Sequence, residues 1–143
     1  MPTIKSENQM IALGKSLAKT LTPPVTIELI GDVGAGKTTL TKGIAAGLGI
    51  KDPITSPSFT LSKQYLSTYR VRPCILVHYD FYRLPDPGIM AEDLAESIAD
   101  PQTITIIEWA DTVQGILPKN HIKITIKYNN DSSRTVEISK QFC

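Results

Sequence analysis

The stretch Gly31-Asp32-Val33-Gly34-Ala35-Gly36-Lys37-Thr38 (GDVGAGKT, residues 31–38) decides the fold. It fits G-x-x-x-x-G-K-[ST] in full. The apolar run VTIELI (25–30) precedes it and reads as a short buried strand, and a helical segment follows it as far as Gly47–Gly49. Strand, glycine-rich turn and helix, in that order, are the setting in which this pattern grips phosphate. Glycines let the backbone wrap close around phosphate oxygens. The N–H groups of the turn and of the helix N-terminus then point at the anion. Lys37 supplies a point charge to the β- and γ-phosphates, and the Thr38 hydroxyl is the expected Mg²⁺ ligand. The bland alternative is a strand-to-helix turn with no ligand. The complete eight-residue pattern in the right context argues against it.

Outward from the loop, the chain alternates helices and strands. Ser6 can cap a helix over 6–21, with Met10, Leu13, Leu17 and Leu21 at helical spacing, and Thr22-Pro23-Pro24 stops it. Beyond the loop's helix, Pro53 and Pro57 bracket the hydroxyl-rich loop ITSPS. PSFTLSKQYL (57–66) predicts a strand exposed on one side, and TYRVRP (68–73) a turn. CILVHYD (74–80) predicts a buried strand, LPDPG (84–88) a break, Met90 to Ile98 a short acidic helix, and TITIIEW (103–109) another strand. Asp111 to Leu117 reads as one or two helical turns before Pro118. Ile122, Ile124, Ile126 and Tyr128 then alternate with polar residues, NNDSS turns, and RTVEIS alternates again, which is the pattern of a hairpin. The expected architecture is a single domain over 1–143 of the α/β P-loop NTPase class. Its sheet is mixed and mostly parallel, flanked by helices, with an antiparallel C-terminal hairpin.

In open α/β sheets, ligands collect at the carboxyl ends of the strands. Two strands end there on acids, CILVHYD on Asp80 and TITIIE on Glu108. Both carboxylates are therefore expected to converge on the phosphate loop and to offer the second anchor for Mg²⁺; the competing readings are a solvated strand end for Glu108 and a turn cap for Asp80. Trp109 reads either as a core residue or as a ring covering the nucleotide. His78 reads as a packed strand residue. Arg83 has two readings, a cis contact to phosphate or a surface pair with Asp80 or Asp86. Thr55, Ser56, Ser58 and Thr60 read either as a γ-phosphate-sensing switch or as a plain polar loop.

Composition narrows the class. In 143 residues the net charge is +1, which argues against a dedicated nucleic-acid binder. The sequence shows no apolar leader and no run long enough to span a membrane. Cys74 and Cys143 make neither a metal cluster nor a disulfide framework, so a reducing cytoplasm is the simpler expectation. There is no N-K-x-D, which leaves guanine specificity without support, and no LSGGQ-like segment. Only four arginines are present (70, 72, 83 and 134), few for a kinase lid that clamps two phosphorylated substrates.

The ordered set GDVGAGKTT, SPSFTL, HYDFYRL, IIEW and a late Arg134 resembles the TsaE family, also called YjeE, over roughly residues 5–140. The resemblance implies a small Mg²⁺-dependent ATPase of tRNA N6-threonylcarbamoyladenosine (t6A) biosynthesis, weak alone. It would work with the partner proteins TsaD and TsaB, drive or reset that complex by ATP hydrolysis, and contact tRNA indirectly, with direct contact left open. It also implies residue roles. Gly34, Ala35, Gly36, Lys37, Thr38 and Thr39 would hold the phosphates, and Thr38 and Glu108 would bind Mg²⁺. Asp80 would act in hydrolysis as base or water-orienting group, with Lys37 also catalytic. Thr60 would belong to the switch, and Trp109 would lie against the nucleotide. The segment PDPGIMAEDLAE departs from the family's acidic, leucine-rich stretch, because Pro87 and Gly88 shorten or delay a helix there. The runner-up is a small-molecule kinase built on the same loop.

Overall fold

The computed structural model describes residues 3–32, 34–51, 53–54, 62–67, 74–81 and 88–140. Among these residues seven strands form one sheet: β1 (Thr3–Ile4), β2 (Val25–Ile30), β3 (Ser62–Ser67), β4 (Cys74–Asp80), β5 (Thr103–Glu108), β6 (Ile122–Tyr128) and β7 (Arg134–Lys140). Their order is β1-β7-β6-β2-β5-β4-β3. The centre, β6-β2-β5-β4, is parallel. β7 and β3 run against it at either side, and β1 pairs antiparallel to β7. The sheet is thus mixed and mostly parallel, with the expected antiparallel hairpin at β6–β7.

Burial explains the arrangement. Every residue of β5, TITIIE, is buried, as is usual for a parallel strand covered on both faces. On one face, Ile27, Leu29, Leu76, Ile104, Ile106, Ile124 and Val136 form the main core with two helices, α1 (Glu7–Ala18) and α2 (Lys37–Gly47). On the other face, Val77, Tyr79 and Ile107 pack with Leu94 of α3 (Ile89–Ala99) and with Val113 of a short 3₁₀ turn at Ala110–Val113. α1 and α2 lie unusually close. A Cβ placed on Gly43 of α2 would sit 2.4 Å from the Ile11 carbonyl oxygen of α1.

Local boundaries differ from expectation for identifiable reasons. α1 ends at Ala18, and Leu21 is buried beyond it, so its spacing reports the core and not the helix. The strand expected over 57–66 is observed as β3 from Ser62, and residues 57–61 lie outside the described residues. β5 stops at Glu108: Trp109 adopts a left-handed conformation (φ 58°, ψ 52°) that turns the chain out of the sheet. α3 begins directly after Gly88, one residue before the expected start at Met90.

Candidate functional site

The phosphate loop leaves β2 after Ile30 and enters α2 at Lys37. Gly34 (φ 84°) and Gly36 (φ 115°) take backbone angles that side chains resist, which is why glycine stands at these positions. Ala35 N–H bonds the Asp32 carbonyl at 3.0 Å, and Leu40 N–H bonds the Gly36 carbonyl at 2.9 Å, so the loop closes directly into the helix. The first-turn N–H groups of α2 therefore open onto the loop, the arrangement that attracts phosphate.

Lys37 is only 6% exposed. Its Nζ donates to the Gly31 carbonyl at 2.6 Å, lies 3.7 Å from Glu108 Oε1 and sits 4.0 Å above the Trp109 ring. A buried ammonium is costly unless paired, and these three contacts compensate it inside the loop. Trp109 thus meets Lys37 at the point where its left-handed backbone turns the chain out of β5.

Strand register brings the two acids together. β4 and β5 pair in parallel with Asp80 opposite Glu108, and both are buried at the carboxyl ends of their strands. His78, two residues before Asp80 and thus on the same face of β4, is fully buried. Its Nε2 lies 2.6 Å from Glu108 Oε2.

Two clefts flank the loop. One, of about 200 Å³, is lined by Glu28, Gly31, Asp32, Lys37, Trp109 and Asp111. Its Glu28 is buried on β2 and held by Gln114 Nε2 at 2.8 Å and His121 Nε2 at 3.1 Å. His121 Nδ1 donates to the Pro118 carbonyl at 2.7 Å, since a carbonyl only accepts. The other cleft, of about 180 Å³, is lined by Ser6, Met10, Gly34, Gly36, Thr39 and Arg134, among others. Arg134 of β7 donates to the Gly34 carbonyl at 3.3 Å and to Tyr128 Oη at 3.2 Å, with its guanidinium 4.4 Å over the Tyr128 ring.

Most of the residues expected from the sequence gather here. Gly34, Ala35, Gly36, Lys37, Thr38 and Thr39 form the loop and the first turn of α2, and Asp80, Glu108 and Trp109 stand at the adjoining strand ends. Thr60 and Arg83 lie outside the described residues. The sequence reading missed that His78 bonds Glu108. The period-two placement of His78 and Asp80 was the available signal. It also missed the contact of Arg134 with Gly34, which spans 100 residues of chain, and no local pattern announces it.

Comparison with known proteins agrees with this geometry. The family profile described as "Threonylcarbamoyl adenosine biosynthesis protein TsaE" matches residues 4–136. The chain is 34% identical over 143 residues to the tRNA threonylcarbamoyladenosine biosynthesis protein TsaE of Haemophilus influenzae, covering 96% of this chain and 87% of that protein. It is 39% identical over 126 residues to the Bacillus subtilis protein of the same name, covering 87% and 75%. Among solved structures, Bacillus subtilis YdiB superposes with a TM-score of 0.76 at 31% identity, over 98% of this chain and 83% of that one. A complete phosphate loop, a fold shared with YdiB and a profile match over nearly the whole length place this chain in the TsaE family of threonylcarbamoyladenosine biosynthesis proteins.

Proposed function

We propose that this chain is the ATP-binding and ATP-hydrolysing component of the machinery that forms t6A in tRNA, and that it acts on partners of the TsaD and TsaB kind in the cytoplasm. The observation that supports the ATPase reading most is the convergence of Lys37, Glu108 and Asp80 beside one phosphate loop. The nucleoside would occupy the cleft of Thr39, Met10 and Arg134. The cleft of Asp32, Trp109 and Asp111 would then lie at the far end of the loop.

The residues divide the work. Backbone N–H groups from Gly34 to Thr39 bind phosphate oxygens and orient them. Lys37, already inside the loop, places its charge against the β- and γ-phosphates. Asp80 holds and orients the attacking water, or takes its proton. The residues present suit Mg²⁺. Thr38 and Glu108 are hard oxygen donors, and this ion is ordinarily bound through one or two protein ligands plus the substrate's phosphates. When bound, Mg²⁺ neutralises charge on the phosphate oxygens. Trp109 covers Lys37 and keeps water from its ammonium. Thr60 would belong to a segment that responds to the γ-phosphate.

The test is ATP binding to the isolated chain by calorimetry, followed by phosphate release with Mg²⁺. Micromolar binding that a Lys37→Ala variant loses supports the reading. Binding unaffected by that substitution refutes it.

A further inference from the structure

We propose that His78 is a positioning residue for Glu108, holding that carboxylate in the orientation in which it serves the metal. The inference rests on the assignment of Glu108 as a metal-side ligand made above.

His78 is fully buried on β4, between β5 and the edge strand β3, and its Nε2 lies 2.6 Å from Glu108 Oε2. Its Nδ1 is also buried and has no hydrogen-bond partner among the described residues. These two facts fix the proton. A carboxylate oxygen at that distance requires a donor, so Nε2 bears the hydrogen. The opposite tautomer would set a lone pair against the carboxylate and bury an N–H with no acceptor. The imidazolium form would bury the same orphan N–H. The neutral Nε2–H form leaves only a lone pair unsatisfied.

Packing alone does not explain this residue. An apolar side chain would fill the same volume between Leu76 and Ile106 without burying an unpaired nitrogen. The histidine therefore contributes through its one bond. That bond engages Oε2 and leaves Oε1 turned toward Lys37 at 3.7 Å, on the phosphate-loop side. A glutamate has three side-chain torsions, and the bond to Oε2 limits the combinations that place its carboxylate. Partners of this kind, which orient a ligating carboxylate without touching the metal, typically alter metal affinity 10–100-fold when removed.

The experiment measures ATP binding to the full chain by calorimetry, with MgCl₂ titrated in and with EDTA. Wild type should bind ATP more tightly as Mg²⁺ is added, and Glu108→Gln should lose that gain. If Glu108→Gln keeps it, the metal-ligand assignment fails and this inference falls with it. Given that loss, His78→Leu should require about tenfold more Mg²⁺, with ATP affinity in EDTA within about twofold of wild type. His78→Gln, whose amide can present an N–H near the place of Nε2, should recover most of the difference. Wild-type Mg²⁺ dependence in folded His78→Leu overturns the inference alone. So does equal weakening with and without Mg²⁺, the mark of a merely structural role. Should His78→Leu not fold, ¹⁵N spectra of the wild-type imidazole decide the matter. A proton on Nε2 and a bare Nδ1 are expected, and a proton on Nδ1 overturns the inference.

Discussion

At the scale of single residues, the account depends on Lys37 and Asp80. Lys37 lies in the loop with a carbonyl, a carboxylate and an aromatic ring around its ammonium. Lys37→Ala removes the loop's mobile cation. Loss of one charge-assisted hydrogen bond, about 1.5–3 kcal/mol, corresponds to roughly ten- to two-hundredfold weaker ATP binding. Calorimetry that shows unchanged affinity contradicts the assignment. Asp80→Asn keeps size and shape but accepts no proton. It should leave ATP affinity within a few-fold and lower the hydrolysis rate by roughly ten- to several-hundredfold. Single-turnover hydrolysis and thermal melting on one preparation separate this from a turn-cap role, in which a well-folded variant would stay fully active. The loop, both acids and their placement at strand ends were legible because each belongs to a local pattern. The His78–Glu108 bond was not, since it joins residues 30 apart through strand pairing.

At the scale of elements, the packing of α1 on α2 determines where the phosphate loop sits. Gly43 meets the backbone of Ile11, so Gly43→Ala must push the helices apart and should cost about 1–3 kcal/mol or more. Denaturant unfolding measures this, and a variant as stable as wild type would mean that the contact is looser than it looks. On the opposite face, Tyr79 of β4 ties down α3. Its hydroxyl donates to Asp93 Oδ2 at 2.6 Å and therefore accepts from Ser97 Oγ at 2.7 Å. Burial, and next the bond to Asp93, push the Tyr79 hydroxyl above the ordinary tyrosine range. The folded chain thus holds this proton more tightly than the unfolded one. The corresponding stability is complete below the ordinary tyrosine range and is lost as pH rises above it. Tyr79→Phe should cost about 1–2 kcal/mol at neutral pH and should flatten that alkaline decline. An unchanged alkaline slope would show that other groups cause it. The helices and the hairpin were legible from their periods. β1 was not, because two residues have no period. Trp109 continued an apolar pattern, so only its backbone angles reveal the turn.

At the scale of the molecule, sheet order creates the site. The parallel pairings β2–β5 and β4–β5 put the phosphate loop, Glu108 and Asp80 at one edge. The hairpin carries Arg134 from the far end of the sequence to Gly34. The fold class followed from strand–loop–helix logic, but this order did not, because nothing in a strand's own residues names its neighbour. Arg134 is committed to the Gly34 carbonyl and Tyr128. The lack of N-K-x-D predicts a preference for ATP, and competition binding in which GTP is equal or better would contradict it. The most direct measurement of the central claim is phosphate release from ATP and Mg²⁺ by this chain, alone and with TsaD and TsaB, while t6A formation on tRNA is followed in the same reaction. The account predicts slow release alone, faster release with the partners, and sustained t6A formation that Asp80→Asn abolishes. No ATP turnover in either setting, or undiminished t6A formation with the Asn variant, would contradict it.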